Sequence, residues 1–70
     1  MPEWFHVRNN VPPIVNTKWG AWVSPVVLVK HADGERRAYL DRGRDNILRW
    51  LDDDTGEMLK GIAEWAHLNT

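Results

Sequence analysis

The residues able to do chemistry in this chain are few and poorly grouped. His6, His31 and His67 lie far apart in sequence, with no H-x-x-x-H pair and no cysteine. A zinc site needs three or four ligands converging at ~2.0–2.3 Å, and no spacing here enforces that convergence. Asp52-Asp53-Asp54-Thr55-Gly56-Glu57 has the composition of a calcium loop. It lacks the alternating oxygen positions and the distal bidentate glutamate that close such a loop, so a solvated acidic turn is expected. Ser24, the sole serine, precedes Pro25 outside any G-x-S-x-G elbow, with no general base aimed at it. Paired-carboxylate catalysis needs one acid with a raised pKa in an apolar pocket, whereas the acids here sit in turns or charge-mixed segments. No glycine-rich phosphate loop is present. The sequence predicts a protein that is not an enzyme and that uses no metal and no cofactor.

Binding chemistry is better represented. Arg36, Arg37, Arg42, Arg44 and Arg49 concentrate positive charge in 36–49, with Tyr39 and Trp50 among them. Bases stacked beside cationic side chains are how single-stranded nucleic acids are held. Against this, nine basic and ten acidic side chains leave a net charge of −1. Asp41, Asp45 and Asp52–Asp54 are placed to neutralise the arginines of a solvated hairpin face. Five tryptophans in 70 residues make up most of the aromatic content. A domain of this size buries only about 60% of its unfolded surface, so a small core must be built from large side chains. Each indole can bury roughly 150–250 Å². Most of Trp4, Trp19, Trp22, Trp50 and Trp65 are therefore expected in the core. The turn-rich segment Trp19-Gly20-Ala21-Trp22 is the place for an exposed anchor, since Trp and Arg dominate interface hot spots. The candidate partner-binding residues are Trp19, Trp22, Lys30, Arg37, Tyr39, Arg44, Arg49 and Trp50.

These side chains must be positioned by one domain, 1–70, because the length leaves no room for a second core. Val26-Val27-Leu28-Val29-Lys30-His31-Ala32 and Glu35-Arg36-Arg37-Ala38-Tyr39-Leu40-Asp41 flank Asp33-Gly34. Asp-Gly between strand-like runs predicts a type I′ hairpin. That turn sets Ala32 opposite Glu35, Lys30 opposite Arg37, Leu28 opposite Tyr39 and Val27 opposite Leu40. Val27, Val29, Ala38 and Leu40 then share one face, the predicted core. Trp4–Val7 reads as a strand. Pro12-Pro13 and Gly20 predict that 8–24 is an irregular loop, with Val11, Ile14, Trp19 and Trp22 folded back as a lid. In the last third, Asp45 could N-cap a helix, and Met58, Leu59, Ile62 and Ala66 recur at helical spacing. Asp52–Gly56 reads equally as a hairpin turn. The fold class expected is mainly β, a small antiparallel sheet built on a 26–41 hairpin; the alternative is α+β with a helix over 45–52 or 57–67. No cationic patch followed by an apolar run opens the chain, so no signal peptide is expected, and no apolar run approaches a membrane span.

Several landmarks taken together resemble a known family. Trp4-Phe5-His6-Val7 followed by Val11-Pro12-Pro13 resembles a W-I-x-V-x-x-x-L-P opening, and Ile62-Ala63-Glu64-Trp65-Ala66-His67-Leu68 resembles a V-T-H-W-M-P-L-P close. Both belong to a small phage- and prophage-borne domain family of unknown function. The chain departs from it at Val11, at Glu64 (histidine in the family) and at Ala66-His67 (Met-Pro in the family). The resemblance implies a phage or prophage setting in the cytoplasm of a bacterial host cell, and an extended 62–68. The function expected is that of a small accessory protein acting by non-catalytic binding to a host or phage macromolecule, with inhibition of a host enzyme or defence complex as one form. The alternative is a nucleic-acid-binding module using the 36–49 stretch. The partner expected is a protein, with nucleic acid as the alternative, no membrane, and a homodimer through an unpaired strand edge left open.

Overall fold

The computed structural model describes residues 3–18 and 20–68, and in them every regular element is a strand. In chain order these are β1 (Trp4–His6), β2 (Asn16–Lys18), β3 (Ala21–Val23), β4 (Val27–His31), β5 (Gly34–Arg42), β6 (Leu48–Asp52), β7 (Met58–Leu59) and β8 (Glu64–His67). The mainly β reading is correct, and neither helix of the alternative forms. Residues 45–52 end in β6, and 57–67 contain β7 and β8. No helix of the described residues is long and apolar enough to cross a membrane.

All strands join one antiparallel sheet in the order β1-β8-β4-β5-β3-β2, with β6 on the second edge of β5 and β7 beyond it. β5 is the spine. One of its edges pairs first with β4, through Val27↔Ala38, and then with β3, through Val23↔Asp41 and Trp22↔Arg42. Ser24 closes the gap where one partner gives way to the other. Its N–H donates to the Leu40 carbonyl at 2.9 Å, and its Oγ accepts the Leu40 N–H at 2.9 Å. The hydroxyl also donates to the Pro25 carbonyl at 2.9 Å, so the sole serine is a backbone bridge whose one donor is used.

The central hairpin forms as expected, but its register differs by two residues. His31 stands opposite Gly34 and Lys30 opposite Glu35, so the turn is Ala32-Asp33 rather than Asp33-Gly34. Neither turn residue takes a positive φ; Gly34 alone does, at +126°. The Asp33 carboxylate explains the choice, because it contacts the ring of His31 on one side and the guanidinium of Arg36 on the other. The expected Lys30–Arg37 opposition is therefore absent; Arg37 stands opposite Leu28. A shift of two preserves strand parity, so the core face is the one expected. Val27, Val29, Ala38 and Leu40 are all buried, and Trp65, Leu59 and Ile62 pack with the first three.

The segment 8–24 is irregular only in its first half. Its second half is the β2–β3 hairpin, paired through Thr17↔Trp22 and Lys18↔Ala21. The two prolines end their influence before Asn16, and Gly20, at φ +80°, permits the tight return. Val11 and Trp22 are exposed, while Pro12 is buried instead. The first half of the segment does cover the core, tethered where Trp65 Nε1 donates to the Asn10 carbonyl at 2.9 Å. Trp65 also packs at 4.9 Å between ring centroids against Phe5, and β8 is extended as the resemblance implied. Trp65 is buried, and Glu64 is half-exposed.

Candidate functional site

The two ends of the sheet divide the candidate residues between them. At the β4–β5 turn, charge meets charge. Asp33 Oδ2 accepts from Arg36 Nη2 at 2.6 Å, and Arg36 Nη1 reaches Asp52 Oδ2 at 2.8 Å. Asp52 is only 2% exposed, and its Oδ1 accepts the N–H groups of Asp54 at 2.7 Å and Thr55 at 3.1 Å. The acidic run is thus a hairpin turn held by its own first carboxylate. Among the described residues, no three metal-capable side chains converge.

Hydrogen bonds from Arg36 and then His31 hold the Asp33 carboxyl well below the usual carboxylate range. Arg36 and the Asp54 amide do the same for Asp52. These are carboxylates kept ionised, the opposite of what a general acid requires. A cleft of about 370 Å³ lies beside them, lined by Asp33, Glu35, Arg36, Arg37, Asp52 and Asp54.

Two other predicted cations, Lys30 and Arg49, are also neutralised. Lys30 Nζ lies 3.2 Å from Glu64 Oε2 and 4.6 Å above the Trp4 ring. Arg49 grips Asp45 with both terminal nitrogens, at 2.7 and 3.3 Å. Arg49 and the Ile47 N–H lower the Asp45 pKa to about 2. Asp45 therefore closes a local turn instead of capping a helix; Asn46, at φ 64°, completes that turn. Asp41 Oδ1 is buried with no hydrogen-bond partner among the described residues. Tyr39 is half-buried opposite Leu51, and Trp50 is half-buried on the rung Leu40–Trp50–Leu59, packed against the core. Part of the Trp50 ring is thus taken up by the core. Trp19 lies outside the described residues.

One rung beyond Leu40 and Trp50 the character of the same face changes. Trp22 stands opposite Arg42, and Arg42 opposite Leu48, so the three side chains form a row across β3, β5 and β6. Opposite residues share a face and lie about 4.5–5.5 Å apart. Trp22 and Leu48 are each 47% exposed, and Ile47 beside them is 54% exposed. Arg42 is exposed as well and forms no ion pair among the described residues. Nearby, the Arg44 guanidinium lies against Gly20, where an added Cβ would come within 2.8 Å of its Nη2.

Of the predicted site residues, the structure brings Trp22 and Arg44 to this end. It places Arg37 at the opposite one and commits Lys30 and Arg49 to intramolecular pairs. By sequence Arg42 stands out only as one arginine of the basic stretch 36–49, and Leu48 and Ile47 do not stand out as binding residues. Their signal is a cross-strand rung, which appears only once the β3–β5–β6 register is known. No family model, curated protein or solved structure matches the chain.

Proposed function

We propose that the protein acts by non-catalytic binding to another protein, through the exposed end of the sheet that carries Trp22, Arg42 and Leu48. The observation that carries this is the placement of Trp22: a 47% exposed indole in line with an exposed leucine and an arginine that has no ion pair among the described residues. Surface indoles and arginines are the residues that most often anchor protein interfaces. The nucleic-acid alternative has less support. Two of its five arginines are committed to carboxylates, and Trp50 is packed on the core. The phage or prophage setting, and inhibition of a host enzyme or defence complex as the outcome of binding, rest on the resemblance of the two ends of the chain to the phage family.

The test is affinity purification of the wild type and of Trp22→Ala from the same host cells. A stoichiometric protein partner retained by the wild type and lost from the variant is expected, with a cost of at least ~2 kcal/mol in binding. Co-purified nucleic acid that dissociates steeply with salt and ignores Trp22→Ala would reverse the conclusion.

A further inference from the structure

We infer that the segment bound at this end is acidic and carries apolar side chains beside its carboxylates, an inference that rests on the protein-binding function proposed above. Arg42 occupies the middle strand of the row, between Trp22 and Leu48. Any surface that covers both apolar side chains must also cover the guanidinium. Desolvating an unpaired arginine is costly unless the incoming surface supplies an anion with good geometry. A purely apolar partner is therefore excluded by the same row that attracts it. Arg44 adds a second exposed cation without an ion pair among the described residues at this end. Asp45, a carboxylate at this end, is held bidentately by Arg49.

The alternatives fit less well. A nucleic-acid strand supplies phosphates for Arg42 and a base for Trp22. It offers nothing to Leu48 and Ile47, which are aliphatic and half exposed. A second copy related by a two-fold axis through the middle of the row would bring Arg42 against its own counterpart, because an isologous interface matches a patch to itself. Head-to-tail docking of the acidic turn at 52–54, with the 49% exposed Met58 behind it, would satisfy the charges. Such a contact is heterologous, so it builds a ring or an open filament instead of a two-fold pair.

The test is fluorescence anisotropy with a labelled peptide of alternating aspartate and leucine, run beside lysine–leucine and aspartate–serine peptides and single-stranded oligo(dT). Saturable binding of the aspartate–leucine peptide alone is expected, weakened about tenfold or more by Trp22→Ala and by Leu48→Ala. Arg42→Glu is expected to abolish that binding and to create binding of the lysine–leucine peptide. All three positions are solvent-exposed, and circular dichroism confirms that each variant is folded. No binding of the aspartate–leucine peptide, binding indifferent to Arg42→Glu, binding of oligo(dT) alone, or concentration-dependent self-association in sedimentation with the peptide inert would each overturn the inference. If the peptide fails while the cellular partner is still lost from Trp22→Ala, the acidic–apolar chemistry falls and protein binding stands. If Trp22→Ala leaves the cellular partner bound, both fall.

Discussion

The β4–β5 turn and the Trp22–Arg42–Leu48 row lie at opposite ends of the same central strand, and they treat arginine in opposite ways. Arg36 is enclosed by Asp33 and Asp52, the latter 2% exposed and bonded to two further backbone amides. Arg42, six residues on and on the same face, stands between an indole and a leucine and forms no ion pair among the described residues. The core lies between the two ends, so neither arginine can reach it. Local acids decide the difference. The turn end carries Asp33 and the 52–54 run, whereas at the far end Asp45 is taken by Arg49. A cation satisfied within the fold stabilises the fold, and one left beside exposed apolar surface is set up to act outward.

The largest effect expected is a contrast between tryptophans. Trp65→Ala removes a 1% exposed indole together with its bond to the Asn10 carbonyl, and should cost about 3–5 kcal/mol. That is most of the stability a domain of this size has. Trp22→Ala should change stability by no more than about 0.5 kcal/mol, as is usual for exposed positions. Urea unfolding measures both. Comparable losses would mean that Trp22 is structural and that the two ends do not differ in the way described.

Next comes the ion-pair end itself. Asp52→Ala leaves Arg36 with one partner and two turn amides without theirs, so the thermal midpoint should fall. Arg42→Ala should leave it unchanged within a degree or two. A larger fall for Arg42→Ala would show that the row is braced by contacts of its own. Gly34→Ala follows, with an expected cost of about 1 kcal/mol from backbone strain at φ +126°, since nothing lies within 4 Å of the added Cβ. A neutral result would mean that the turn readjusts at no cost, and that Asp33, not the glycine, sets its register.

These residues also mark how much the sequence could reveal. The core face of 26–41 was legible because its alternation survives a two-residue error in register. Which cations face each other was not, because that error reassigns every cross-strand pair, Lys30–Arg37 included. The expectation of an extended 62–68 was set against a helical spacing of apolar residues; the strand that forms is 64–67, where pairing with β1 and β4 overrides the local preference. The β2–β3 hairpin was hidden by Pro12-Pro13 and by its polar first strand. Its docking on β5 rests on pairs some twenty residues apart, Trp22↔Arg42 and Val23↔Asp41. The Trp22 row depends on that docking, so the exposed anchor could be suspected by residue type but not placed.

The smallest effect separates the ends by pH. Asp33, Asp52 and Asp45 all have folded-state pKa values below the ordinary 3.8, and that of Asp45 falls to about 2. A depressed carboxylate binds fewer protons folded than unfolded just below pH 4, so stability falls as acid is added. The contribution is complete above about pH 4–5 and is lost as pH drops toward 2 and below. Asp45→Asn should flatten this decline slightly, and less so in high salt, because the Asp45–Arg49 pair is half exposed and screened. Asp52→Asn should flatten it more, since its carboxylate is shielded from solvent. The Trp22 row contains no carboxylate, so Trp22→Ala and Leu48→Ala should leave the slope as it is. Unfolding free energies measured between pH 6 and pH 2.5 decide the matter. A slope unaffected by Asp52→Asn, or altered by Leu48→Ala, would erase the distinction between an end that holds its charges and an end that offers them.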